Sequence, residues 1–138
     1  MIKNIAFAIA FIIITKILVF LFIENKQEPK INQKELESIA LALNKNYPKT
    51  SPNGIRIDRL STGIGLITYH KTLINYSVAD FDANSLNSDA SRQELVDEAC
   101  SNSGTKKFLK SGISIQNIYR DKNGTIVSDR TVRPKDCI

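Results

Sequence analysis

Few side chains in this sequence can do chemistry, and their types limit what that chemistry could be. Histidine occurs once, at His70, and cysteine twice, at Cys100 and Cys137. Together they offer three zinc ligands with no short-spaced pair, whereas a structural zinc site closes with four. A thiol nucleophile with His70 as its base is the other chemistry open to them. Against it, Cys100 sits on an apolar helical stripe and Cys137 stands next to the last residue, a poor seat for a rigid active site. The simpler reading is a disulfide between Cys100 and Cys137. It would close a loop of 37 positions, worth ~4 kcal/mol on a chain-entropy account.

Other patterns are weaker. Asp80-x-Asp82-x-Asn84 spaces oxygens as a calcium loop does. However, Ser85 stands where glycine is required and Ser91 where a bidentate glutamate belongs, so the segment reads as an Asx-rich loop. Asn75-Tyr76-Ser77 and Asn123-Gly124-Thr125 match the glycosylation acceptor pattern, the first within a predicted strand and the second within a predicted turn. There is no glycine-rich phosphate loop, no metalloprotease helix and no assembled triad. The chain therefore reads as a non-enzyme without metal or cofactor.

Charge points to a binding surface. The chain carries +5 overall, unevenly distributed. Residues 24–102 hold 9 basic and 11 acidic side chains, and residues 103–138 hold 8 and 3. A basic terminal segment can attract an acidic protein face, an anionic lipid surface or nucleic acid. Nucleic-acid sheets present several stacking aromatics, and this hairpin offers only Tyr119. A protein partner is the better expectation, with Tyr119, Arg120, Arg130 and Arg133 as first contacts.

These residues must be positioned by a small domain behind a membrane segment. Ile5–Ile23 is apolar apart from Thr15 and Lys16, close to the ~20 residues that cross a bilayer. No small-x-small cleavage site follows it, so residues 1–23 are expected to be an uncleaved single-pass anchor. Lys16 within the span costs a few kcal/mol (~2.5–3.5 at the centre) unless it snorkels to the headgroups or pairs with an acidic residue in a partner's span. The flanking lysines lean towards a cytoplasmic C-terminus. The cysteine pair leans the other way, to a domain on the periplasmic or extracellular side of the inner (plasma) membrane.

Residues 24–31 read as a polar tether and 32–138 as one α+β domain. Asn32 with Glu35 starts a helix whose stripe is Leu36, Ile39, Ala40 and Leu43. Ile55–Leu60 and the stretch after Gly65 read as strands joined at Thr62–Gly65. Ser91 with Glu94 opens a second helix, and Lys106–Lys110 forms a helical turn ending at Gly112. Strands on both sides of Asp121-Lys122-Asn123-Gly124 make a closing hairpin. The order α-β-β-α-β-β predicts a four-stranded, mainly antiparallel sheet with both helices on one face.

The expected function is a membrane-tethered, non-catalytic protein-binding domain of the bacterial envelope. It would be an accessory subunit of an envelope complex, or an inhibitor, immunity or exclusion factor. The alternatives are a small enzyme using His70 with a cysteine, and a structural protein acting through its transmembrane helix.

Overall fold

The computed structural model describes residues 30–82 and 88–137. The expected anchor, Lys16 within it and most of the tether lie outside the described residues. Among the described residues no helix is long and apolar enough to cross a membrane.

Helix α1 spans Gln33–Asn44. The Asn32 side chain accepts a hydrogen bond from the Glu35 N–H at 2.9 Å, satisfying one of the donors a helix start leaves over. The predicted stripe is the buried one: Leu36 and Ala40 lie in the core, with Ile39 and Leu43 packed against it. Ile31, at the end of the expected tether, also packs there.

The sheet has five strands rather than four. They lie in sequential order: β1 (Lys49–Thr50), β2 (Ile55–Gly63), β3 (Leu66–Leu73), β4 (Ser114–Asp121) and β5 (Ile126–Val132). The added strand β1 is only a two-residue pairing against Ile57 and Arg56, too short to leave a period-2 signal. Beyond it β2 is an edge, and Asn44 from α1 covers part of that edge. Its Nδ2 donates to the Leu60 carbonyl at 2.9 Å, and its Oδ1 accepts from the Leu60 N–H at 2.7 Å. Backbone groups at a half-buried edge need such partners.

The sheet is mixed. β2–β3 and β4–β5 are antiparallel hairpins, but β3 and β4 run parallel, Leu66 beside Ser114 through Leu73 beside Asp121. The reason is the connection. Two helices, α2 (Asp89–Ser101) and α3 (Ser103–Lys110), occupy the segment between those strands and return the chain to the end where β3 began. α2 begins earlier than the Ser91–Glu94 box implies, because Ser88 is its N-cap and accepts from the Ser91 N–H at 3.1 Å. The helical turn before Gly112 is a full helix with Asn102 as its cap. It closes as expected at Gly112, whose φ of +84° favours glycine. The Ile113 N–H reaches the Phe108 carbonyl and the Gly112 N–H the Leu109 carbonyl, at 2.9 and 3.0 Å, a complete Schellman closure.

One apolar core joins Leu36 and Ala40 of α1, Val96 and Ala99 of α2, and Phe108 and Leu109 of α3 to Leu60, Ile67, Ile115 and Val132 of the sheet. All three helices therefore cover the same face. Cys100 and Cys137 are joined as expected, with Cα atoms 5.6 Å apart. The bond ties α2 to the 3₁₀ turn Pro134–Cys137 that follows β5.

Candidate functional site: a groove on the helix side and an open polar face

Strand alternation divides the sheet residues between two surfaces. On the helix side lie Tyr69, Lys71 and Leu73 of β3, Asn117 and Tyr119 of β4, and Ser128 and Arg130 of β5. The helices leave part of this side uncovered. A groove of roughly 320 Å³ runs beside α2, with Leu73, Phe81, Leu95 and Val127 as apolar lining and Tyr119, Arg130, Glu94 and Glu98 as polar groups. A second depression of roughly 190 Å³, over Tyr69, Lys71 and Asn117, meets it at Leu95 and Glu98.

Lys71 organises this floor. Its Nζ donates to the Tyr119 hydroxyl at 3.0 Å and lies 4.8 Å from the Tyr119 ring centroid and 5.8 Å from that of Tyr69. An ammonium against an aromatic face is attracted by the ring quadrupole. Burial, and then the neighbouring Tyr47, push the Tyr69 hydroxyl up to about 12, so it is a neutral phenol at any ordinary pH. The groove and the depression beside it together offer apolar walls, two phenols, a fixed cation and carboxylates on the α2 side.

The open face presents Arg56, Asp58 and Arg59 of β2, Thr68, His70 and Thr72 of β3, and Gln116 and Arg120 of β4. A hydrogen-bonded net covers it. Thr68 donates to Gln116 at 2.9 Å, and Gln116 donates to Asp129 of β5 at 2.7 Å. Asp58 accepts from Arg56 Nε at 2.5 Å and from the Thr72 hydroxyl at 2.6 Å. His70 Nε2 lies 2.8 Å from Ser61 Oγ, and Arg120 approaches its Nδ1 at 3.4 Å. A guanidinium can only donate. Nδ1 is therefore the acceptor, and the ring proton sits on Nε2, donated to Ser61. Burial, then the charges of Arg59 and Arg120, hold His70 below its ordinary value, against the pull of Asp58.

A third point of organisation is Asp121, 1% exposed at the end of β4. Its carboxylate accepts from the N–H groups of Val78, Asn123 and Thr125 at 3.0, 2.9 and 2.9 Å. Burial alone would raise this carboxyl. The backbone donors of Val78, Thr125, Asn123 and Gly124 overcome that and hold it below the usual carboxylate range.

The four contact residues expected from sequence do not share one surface. Tyr119 and Arg130 come together in the groove. Arg120 projects from the opposite face. Arg133 lies beyond β5, where its N–H donates to Asp136 at 2.8 Å. The cysteine–histidine enzyme is overturned by the structure: both sulfurs are joined, and Cys100 packs on the helix side while His70 belongs to the open face. Among the described residues no group of three His, Cys, Asp or Glu side chains could hold a metal. Sequence reasoning passed over Lys71, Glu98, Arg59 and Ser61. For Lys71, Arg59 and Ser61 the only signal was strand alternation, which assigns faces but not cross-strand neighbours; Glu98 stands on α2.

No family model and no curated protein matches the chain. Three solved structures share its fold. A Pseudomonas aeruginosa protein assigned as secreted is 20% identical, with a TM-score of 0.63, covering 76% of this chain and 91% of its own. EpsS, a pilotin of the Vibrio vulnificus type 2 secretion system, is 14% identical, with a TM-score of 0.54 and coverages of 74% and 87%. AspS, a type II secretion system pilotin from Vibrio cholerae, is 21% identical, with a TM-score of 0.55 and coverages of 76% and 94%. At these identities the likeness is one of fold.

Proposed function

We propose that this chain is a non-catalytic protein-binding domain of the bacterial cell envelope, tethered to the inner membrane through residues 5–23 and serving as an accessory subunit of an envelope complex. The observation that carries this reading is the groove beside α2. It combines apolar lining from Leu73, Phe81, Leu95 and Val127 with Tyr119 and the charged groups Arg130, Glu94 and Glu98, and it adjoins the depression floored by Lys71 and Tyr69. That mixture suits a segment of another protein, with aromatic and arginine anchors at the centre of contact. Two fold neighbours are pilotins of type II secretion systems, which supports a role beside an assembly of that kind. Tyr119 and Arg130 make the central contacts and Arg133 extends them past the end of β5.

Site-specific photo-crosslinking in cells tests this. A photoreactive residue at Ser128 or Glu94, in the groove, should trap one defined protein, and Arg130→Glu should abolish the adduct. The same residue at Thr131, on the opposite side of β5, should give none. Adducts from Thr131 with none from the groove would overturn the reading.

A further inference from the structure

We infer that the open face of the sheet carries an anion site formed by Arg59, His70 and Arg120, and that its ligand is a phosphate group. The two arginines flank the histidine from neighbouring strands. Arg59 lies opposite His70 in the β2–β3 register, and Arg120 lies beside Thr72 in the β3–β4 register. Among the described residues neither guanidinium is paired with a carboxylate. Asp58, whose charge is felt at His70, has its two oxygens engaged by Arg56 and Thr72. Arg120 instead rests one N–H on a neutral imidazole at 3.4 Å and keeps its other donors for a ligand.

The width of the cluster selects the anion. Arg59 and Arg120 rise from strands two places apart, roughly 10 Å by ordinary strand spacing. A planar carboxylate is satisfied by one guanidinium fork. A tetrahedral phosphate has oxygens for both forks at once, with a further one for the Nδ1–H that His70 gains on protonation. Its charge would also offset the crowding of Arg59 and Arg120 around His70, so phosphate binding and protonation of His70 favour each other. The charged groups facing His70 are Arg56, Asp58 and Arg59 from β2 and Arg120 from β4; Asp129 of β5 is held at Gln116.

His70 is the only histidine in the chain, so one imidazole signal reports the site. With the full chain in neutral-detergent micelles, the His70 proton resonance is followed against pH in inorganic phosphate and in chloride of equal ionic strength. Phosphate should raise the His70 midpoint where chloride does not. Arg59→Gln or Arg120→Gln should weaken phosphate binding about tenfold or more. Asp58→Asn should strengthen it, which keeps the test open if an arginine variant fails to fold. A second arm compares bicelles with and without phosphatidylglycerol: a response there places the phosphate on a lipid headgroup, and a response to inorganic phosphate alone places it on a soluble ester. Equal effects of phosphate and chloride, an equal response to acetate, or unchanged binding in the arginine variants would overturn the proposal.

Discussion

Opening the Cys100–Cys137 bond should destabilise the whole domain, not only its C-terminal end. The bond spans 37 positions, and closing a loop of that length removes unfolded-state entropy worth ~4 kcal/mol. Other links between the 3₁₀ turn and α2 are weak. Arg92 and Asp136 stand 3.8 Å apart with Arg92 more than half exposed, and such pairs contribute between about 0 and 1 kcal/mol. The domain's total stability is expected at about 5–15 kcal/mol, so the bond supplies a large part of it. Urea unfolding of oxidised and reduced wild-type protein compares the same atoms with and without the cross-link. With slopes of roughly 1–3 kcal/mol/M, the midpoint should fall by roughly 1–4 M. Melting should drop by about 15 °C or more. Cys100→Ser with Cys137→Ser should behave like the reduced form. If reduction moves the unfolding free energy by less than about 1 kcal/mol while only the segment after β5 becomes protease-sensitive, the entropic account is wrong and the bond acts as a local clasp.

Asn44→Ala removes both hydrogen bonds to the Leu60 backbone and should cost about 1–3 kcal/mol in urea unfolding; a smaller loss would mean that water takes over the edge. Asp121 should make stability acid-sensitive. Its folded value lies below its unfolded one, so its contribution is complete above the ordinary carboxylate value and is lost as pH falls through the folded value. Unfolding followed from pH 6 downwards should therefore be flatter in Asp121→Asn than in wild type, from an already lower starting stability; parallel curves would refute this.

Local signals in the sequence placed most elements. The Leu36, Ile39, Ala40, Leu43 stripe, the Gly112 closure and the Asp121–Gly124 turn each report a backbone requirement set by neighbours in the chain, and each stands in the structure. What could not be read is pairing between distant segments. The parallel β3–β4 contact depends on where two intervening helices leave the chain, and strand β1 depends on β2 being there to meet it. The site was partly legible for the same reason. Tyr119 and Arg130 are close to one another in the hairpin, and their shared face follows from its register. That Arg120 belongs to the other side also follows from alternation. The company it keeps there, Arg59 and His70, comes from strands that no local pattern links to it. Asp121 was visible as a turn residue, but its burial against Val78 was not.

The parallel junction at the middle of the sheet also governs when this chain can fold. Synthesis delivers α1 and β1, then β2 and β3 as a hairpin with Leu60 and Ile67 on one side. The long side of β3 then has nothing to pair with until residues 114–121 follow. Through all of residues 74–113 the nascent chain shows an unpaired strand and half a core. Such states fold slowly and invite pairing with other chains. The turn at Asp121 and the last strand arrive together with β4, so the fold closes in one late step rather than growing from its start. A chaperone acting on this protein would be needed during that interval, and a truncation before β4 should yield aggregate rather than a smaller domain.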